Sequence, residues 1–297
     1  MISNTSKTIS RRSFIKTTLT GIAALVTINN YDIFAGNQKQ MAHWAFLADT
    51  HIAEDLTNVN QGFNPADNLK QVISSINTDL PDAIAIAGDL AFKDGQPGDY
   101  EAFKTLVNPV FEKRPVFMAL GNHDDRNNFL NCFDEISGDR KYVRDKHITI
   151  IDNPPVRIII LDSLFFVDES PGLLGKAQRQ WLGNYLNSDD NVPTIILLHH
   201  SLGDGDHELL DVPYLFEMVK PVRKVKAIIY GHSHNYKIAE SEGIHLINIP
   251  AVAYTFSRNE PVGWMDAKLS AQGGDFTLHS IGGNQQNDGT VSKLLWR

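Results

Sequence analysis

Eight short apolar runs rich in Val, Ile, Leu and Ala punctuate the chain, at residues 43–48, 83–87, 115–120, 147–151, 156–161, 194–198, 227–230 and 244–249. Through the first half they alternate with segments of helical period. Leu69, Val72, Ile73, Ile76 and Leu80 fall at spacings of three and four and give one apolar face. Tyr100, Phe103, Leu106 and Val107 repeat that pattern, as do Ala177, Trp181, Leu182 and Tyr185. Strand–helix–strand alternation implies βαβ units, parallel pairing and a sheet covered on both faces. After Tyr236 strand outweighs helix, and Gly273-Gly274 separates two final antiparallel strands, 264–268 and 276–280. An α/β fold of two packed sheets flanked by helices accommodates this order. The polar, glycine-containing stretch 284–292 reads as loose.

The chain of 297 residues is long enough for one large α/β domain or two small ones. A formal net charge of -8 argues against a nucleic-acid groove or an anionic membrane as the main partner, since both need clustered Lys and Arg. The sole cysteine, Cys132, cannot form an internal disulfide, so the fold does not depend on oxidation.

The N-terminus carries its own message. Ser10-Arg11-Arg12-Ser13-Phe14-Ile15-Lys16 precedes a mild apolar run at 21–26 and small residues at Ala35 and Gly36. A basic segment, a short apolar segment and a small-residue cleavage site make a secretory signal. The paired arginines with Phe14 and Lys16 resemble the bacterial twin-arginine export signal. Residues 1–35 are therefore expected to be a signal peptide read by the twin-arginine export machinery, placing the chain in the periplasm or outside the cell. The apolar run falls well short of the ~20 residues that span a bilayer.

Five of the apolar runs end in residue types that bind metals. They are followed by Asp49-Thr50-His51, Gly88-Asp89, Gly121-Asn122-His123-Asp124, His199-His200 and Gly231-His232-Ser233-His234. Any one alone reads as a turn, a cap or a chance histidine. Five in this order do not, because ligands of open α/β sheets bind beyond the carboxyl ends of the strands.

Taken together these residues resemble the signature of the calcineurin-like metallophosphoesterase superfamily, over most of residues 43–236. The string Gly121-Asn122-His123-Asp124-Asp125-Arg126 is similar to the branch holding class III cyclic-nucleotide phosphodiesterases and glycerophosphodiesterases. The resemblance implies a four-layer αββα sandwich of two mixed sheets, spanning 40–283 with a C-terminal tail at 284–297. It also implies two divalent or mixed-valence metal ions. Asp49, His51 and His234 would hold one, Asn122, His199 and His232 the other, and Asp89 would bridge them. Imidazole and carboxylate without thiolate suit Fe, Mn or Zn. The implied reaction is hydrolysis of a small phosphate ester, in particular a phosphodiester, by in-line attack of a metal-bridging hydroxide. His123 would stabilise the transition state or protonate the leaving group, and Asp124 would orient His123. His199 is taken as the ligand by analogy with the first histidine of the family's pair. His200 is followed here by Ser201-Leu202 where many relatives have proline, which bears on the shape of the neighbouring substrate loop.

Other readings compete. A purple-acid-type phosphomonoesterase would need a metal-binding tyrosine where Phe92 stands, although monoester hydrolysis by the same fold stays open. A nuclease would need a basic or aromatic track, which the negative composition disfavours. A catalytically inactive metal-binding scaffold would be expected to have lost ligands, and all seven positions are filled. Arg126 reads as a solvated arginine at a helix start in preference to a contact for substrate phosphate, 203–208 as a polar surface loop in preference to one that shapes access to the site, and His43, His147, His245 and His279 as structural. Oligomeric state is left open.

Overall fold

The computed structural model describes residues 41–133, 138–188 and 190–297; the expected signal peptide lies outside them. In chain order the strands are β1 (Met41–Leu47), β2 (Ala83–Ile86), β3 (Val116–Met118), β4 (Asp139–Val143), β5 (Lys146–Asn153), β6 (Val156–Ile160), β7 (Thr194–Leu197), β8 (Val225–Tyr230), β9 (Lys237–Ser241), β10 (Ile244–Asn248), β11 (Pro261–Ser270), β12 (Gly273–Gly283) and β13 (Val291–Leu295). The helices are α1 (Pro65–Thr78), α2 (Pro97–Phe111), α3 (Arg126–Cys132), α4 (Gly175–Leu186) and α5 (Val212–Val219). One six-stranded sheet runs β13-β12-β11-β1-β2-β3, and a seven-stranded sheet runs β4-β5-β6-β7-β8-β10-β9. Both are mixed. β1, β2 and β3 are mutually parallel, as are β6, β7, β8 and β10, while hairpins extend the edges antiparallel.

The period of two along each strand sorts the core into three layers. Trp44 and Phe46 point between the sheets, meeting Ile158, Ile160, Ile195, Leu197, Ala227 and Ile229 of the other sheet. Ala45 and Leu47 point outward, beneath Leu69, Val72, Ile76, Phe103 and Val107 of α1 and α2. In the second sheet Ile159, Ile196 and Ile228 face Leu182 and Leu215 of α4 and α5. Large rings pack against small partners in the middle layer: Trp44, Phe46, Phe117 and Phe276 share it with Ala83, Ala85, Ala87 and Ala119. Alternating sizes let the inner faces interdigitate. The result is the expected four-layer αββα sandwich.

Local chemistry sets the helix starts that matter for the site. Asn64 caps α1 by accepting from Asp67 N at 2.9 Å, with Pro65 fixing the first turn. Asp125 caps α3, accepting from the main-chain N–H groups of Asn127 and Asn128 at 2.9 Å each. Two parts of the sequence behave differently from expectation. The polar stretch 284–292 is not loose: Gly289 N donates to Leu278 O at 2.8 Å, and Val291 begins β13, which pairs with β12. The turn between β11 and β12 falls at 271–272, with Gly273-Gly274 already inside β12. Among the described residues no helix is long and apolar enough to cross a membrane.

Candidate metal centre

The carboxyl ends of β1, β2, β3, β7 and β8 all open toward one place, and each delivers one of the five motifs. Asp49 N donates to Gly88 O and His51 N to Asp89 O, both at 3.0 Å, so the loops after β1 and β2 continue the ladder past the strands. Gly231 N donates to His199 O at 3.0 Å and ties the loops after β7 and β8 in the same way. Asp49, with no exposed surface, accepts from His232 N through both oxygens at 3.1 Å and so joins the two sheets.

Close approach explains the glycines. A side chain at Gly121 would collide with the Asp89 carboxylate, and one at Gly231 would meet Asp49 Oδ2 at 2.5 Å. The backbone is strained in the same place: Asp49, His51, Asp89, His232 and His234 all hold φ between 43° and 71°. L-residues avoid this region, and such strain persists only where surrounding structure enforces it.

Four imidazoles have a fixed tautomer, because a carbonyl oxygen can only accept. His51 Nδ1 donates to Phe92 O at 3.2 Å, His199 Nδ1 to Ala87 O at 2.7 Å, and His234 Nδ1 to Tyr254 O at 2.7 Å. His232 uses its other nitrogen, donating from Nε2 to His207 O at 2.7 Å. The remaining nitrogens turn toward each other. His51 Nε2 lies 3.1 Å from His234 Nε2, and His199 Nε2 lies 3.1 Å from His232 Nδ1 and 3.2 Å from Asn122 Oδ1. In the His51–His234 pair lone pair faces lone pair, and His199 Nε2 faces the acceptors His232 Nδ1 and Asn122 Oδ1. Asp89 Oδ2 stands between the two sets, 3.6 Å from His51 Nε2 and 3.3 Å from His199 Nε2. Asp49 Oδ1 completes the first, 3.6 Å from His234 Nε2.

Electrostatics follow from burial and the two carboxylates. Burial pushes His51 and His232 down to about 4 and His234 still lower, so these rings are neutral at pH 7. Burial opposes a charge on His199, yet Asp89 and Asp49 raise it to about 9, which marks a field favouring positive charge at that point. Burial likewise opposes ionisation of Asp89, but the neighbouring His199 and His51 hold it well below the usual carboxylate range. Asp49 is pushed up to about 7 by burial.

His123 is placed at the rim. Its main-chain N–H donates to Asp89 Oδ1 at 2.9 Å, its Nδ1 donates to Lys93 O at 2.6 Å, and Asp168 Oδ1 lies 3.5 Å from that nitrogen. Asp124, expected to orient His123, does something else. Its buried carboxylate accepts from Leu90 N, Ala91 N, Gly121 N and the Tyr100 hydroxyl, at 2.9–3.3 Å. A fully desolvated carboxylate takes the nearest main-chain donors, and here these are the two loops that carry Asp89 and Asn122. Arg126 is not free in solvent but partly buried. Its guanidinium binds both oxygens of Asp162, which is fully buried, at 2.6 and 2.8 Å. His200 is buried beside His199, with Ser163 Oγ 2.7 Å from its Nδ1.

Comparison with known proteins now decides the family. The model for calcineurin-like phosphoesterases matches residues 43–236. The chain belongs to that family. It is therefore a hydrolase of phosphoester bonds, and membership implies divalent metal ions at this centre. A probable cyclic nucleotide phosphodiesterase of Synechococcus is 27% identical over 81% of this chain and 92% of its own length. A glycerophosphodiester phosphodiesterase of Enterobacter lignolyticus is 22% identical over 71% of this chain and 77% of its own. Among solved structures, a dimetal phosphatase from Danio rerio shares the fold with a TM-score of 0.68 and 15% identity, covering 86% of this chain and 99% of that one.

The residues fit metal ions well. Six imidazoles and two carboxylates form groups whose ligand atoms lie within 4.8 Å of one another: Asp49, His51 and His234; Asp49, Asp89 and His199; His51, Asp89 and His123; His199, His200 and His232. Facing lone pairs repel unless a cation sits between them, and every second ring nitrogen is anchored to a carbonyl, as metal-binding histidines are. Sequence reasoning missed those anchors, the carbonyls of Ala87, Phe92, His207 and Tyr254. A main-chain oxygen has no sequence signature, so nothing in the sequence pointed to them.

Proposed function

We propose that the chain hydrolyses phosphodiesters at two metal ions, one held by Asp49, His51 and His234, the other by Asn122, His199 and His232, with Asp89 shared. The observation that carries this reading is the position of Asp89 Oδ2 between the two histidine sets. Imidazole, carboxylate and amide oxygen without thiolate favour Fe, Mn or Zn. Two such ions, when bound, neutralise phosphoryl oxygens and bring the pKa of coordinated water toward neutrality.

The remaining work belongs to the chain itself. Asn122 contributes a neutral oxygen and keeps the centre net positive toward an anionic ester. Asp124 and Tyr100 hold the loops of Asp89 and Asn122 at fixed separation. His123 keeps its Nδ1–H on Lys93 O, with Asp168 Oδ1 3.5 Å away, so it acts as an acid from the imidazolium form: the Nε2 proton passes to the departing alkoxide and leaves the neutral, Nδ1-protonated ring. Relatives named for cyclic nucleotides and for glycerophosphodiesters have the diester in common, and that shared chemistry supports a diester here. The test compares bis(p-nitrophenyl) phosphate with p-nitrophenyl phosphate on the chain reconstituted with Mn, Fe or Zn. A higher kcat/KM on the diester is expected; comparable rates would remove the diester preference.

We also propose export through the twin-arginine route, supported by Arg11-Arg12 with Phe14 and Lys16. Changing both arginines to lysine should keep the protein in the cytoplasm, read by cell fractionation. Unchanged export would contradict it.

A further inference from the structure

We propose that Phe256 is the surface on which a planar, heteroaromatic group of the substrate stacks, which makes the substrate a diester bearing a nucleobase or similar ring. The inference rests on the diesterase reading above and narrows it.

Phe256 is 66% exposed and belongs to none of the three core layers, so its ring does not hold the fold together. An apolar ring in water beside a polar centre calls for another explanation. The ring lies 4.7 Å from that of His234, centroid to centroid, and meets Tyr254 edge-on at 5.5 Å and 82°. Tyr254 is itself 4.7 Å from His234 and 5.1 Å from His51. An aromatic column therefore climbs from the buried centre to solvent, and Phe256 is its top. His123 also stands at the rim, its ring 5.2 Å from His51. A phosphoryl group seated at the centre would thus have both His123 and an aromatic face nearby.

The loop beneath Phe256 is built to hold still. Ala253 N donates to Asp49 O at 3.0 Å, and the Asn68 side-chain amide donates to Ala253 O at 2.8 Å. Thr255 Oγ1 donates to Ser257 O at 3.1 Å and accepts from Ser257 N at 3.2 Å, closing the turn around residue 256. A ring fixed in advance on a rigid support stacks a ligand at little entropic cost. Every nucleobase offers a π-face, whereas a glycerol ester offers none.

The experiment measures kcat and KM of the full, metal-loaded chain on two substrates, a cyclic phosphodiester carrying adenine and a glycerophosphodiester without a ring. Phe256→Ala should raise KM for the adenine-bearing diester roughly 5- to 150-fold, the range expected for one lost stacking partner. Its kcat, its metal content and both parameters for the ring-free diester should be unchanged, and Phe256→Trp should restore the low KM. An equal change on both substrates, a loss of metal, or no change would overturn the proposal while leaving diester hydrolysis intact. Failure of the unaltered chain to hydrolyse either diester would overturn the broader reading and this one with it.

Discussion

His123 is tied to Asp89 through its main chain and not through its ring: the N–H donates to Asp89 Oδ1 at 2.9 Å, while Nδ1 donates to Lys93 O. Backbone support for the shared carboxylate and the imidazole's own chemistry are therefore separable. His123→Ala should lower kcat about 10²–10⁴-fold, the contribution of a positioned acid. Metal content, measured by elemental analysis, should stay at the level of the unaltered chain; its loss would make His123 a ligand instead.

Tyr100 links Asp124 to the start of α3. Its hydroxyl donates to Asp124 Oδ1 at 3.2 Å and accepts from Asp125 N at 2.8 Å, and the ring is fully buried. Tyr100→Phe leaves Asp125 N without its partner and Asp124 with one donor fewer. Stability should fall by about 1–3 kcal/mol in urea unfolding. Because Asp124 braces both ligand-bearing loops, metal affinity should fall as well, by about 10–100-fold.

The layers of the fold were legible because strands buried on both faces, such as β6 and β7, read as continuous apolar runs, while α1, α2 and α4 carry a period near 3.6. The parts that were not legible lack such a pattern. The edge strands β4 and β9 read Asp-Arg-Lys-Tyr-Val and Lys-Ile-Ala-Glu-Ser, charged as sheet edges are. α3 and α5, at 7 and 8 residues, are too short to display an amphipathic face. The motif residues of the centre could be read because their side chains carry the chemistry. Asp124's role could not, since which donors a buried carboxylate finds depends on loops that meet only in the folded chain. Arg126 followed the same logic: its partner Asp162 lies 36 residues away, at the end of β6.

That pair makes its own prediction. Asp162 is fully buried, and Arg126 supplies two of its hydrogen bonds while Lys146 stands 3.6 Å off. Arg126→Gln should destabilise the chain by about 1–3 kcal/mol, because the buried carboxylate loses two charge-assisted hydrogen bonds and keeps Lys146 and the N–H groups of His147 and Leu164. The loss should shrink markedly in the double variant with Asp162→Asn. Denaturant midpoints of the single and double variants measure it, and purely additive effects would contradict the pairing.

His43 and Asp266 form an ion pair between β1 and β11. The hydrogen bond to Asp266 raises the His43 imidazole above its ordinary value, against the opposing effect of burial. A raised value in the folded state means stability that is fully present below about pH 6.5, the unfolded value, and lost as pH rises through the folded one. The melting temperature of the unaltered chain should exceed that of His43→Gln most at acidic pH, and the gap should close toward alkaline pH. A gap that widens with pH would refute the assignment.

The central claim is that Asp89 is shared by two cations. Anomalous diffraction from crystals of the metal-loaded chain, with elemental analysis of the same preparation, tests it most directly. Two ions per chain are expected, about 3.5–4 Å apart with Asp89 between them. One ion, or two that do not share Asp89, would contradict it.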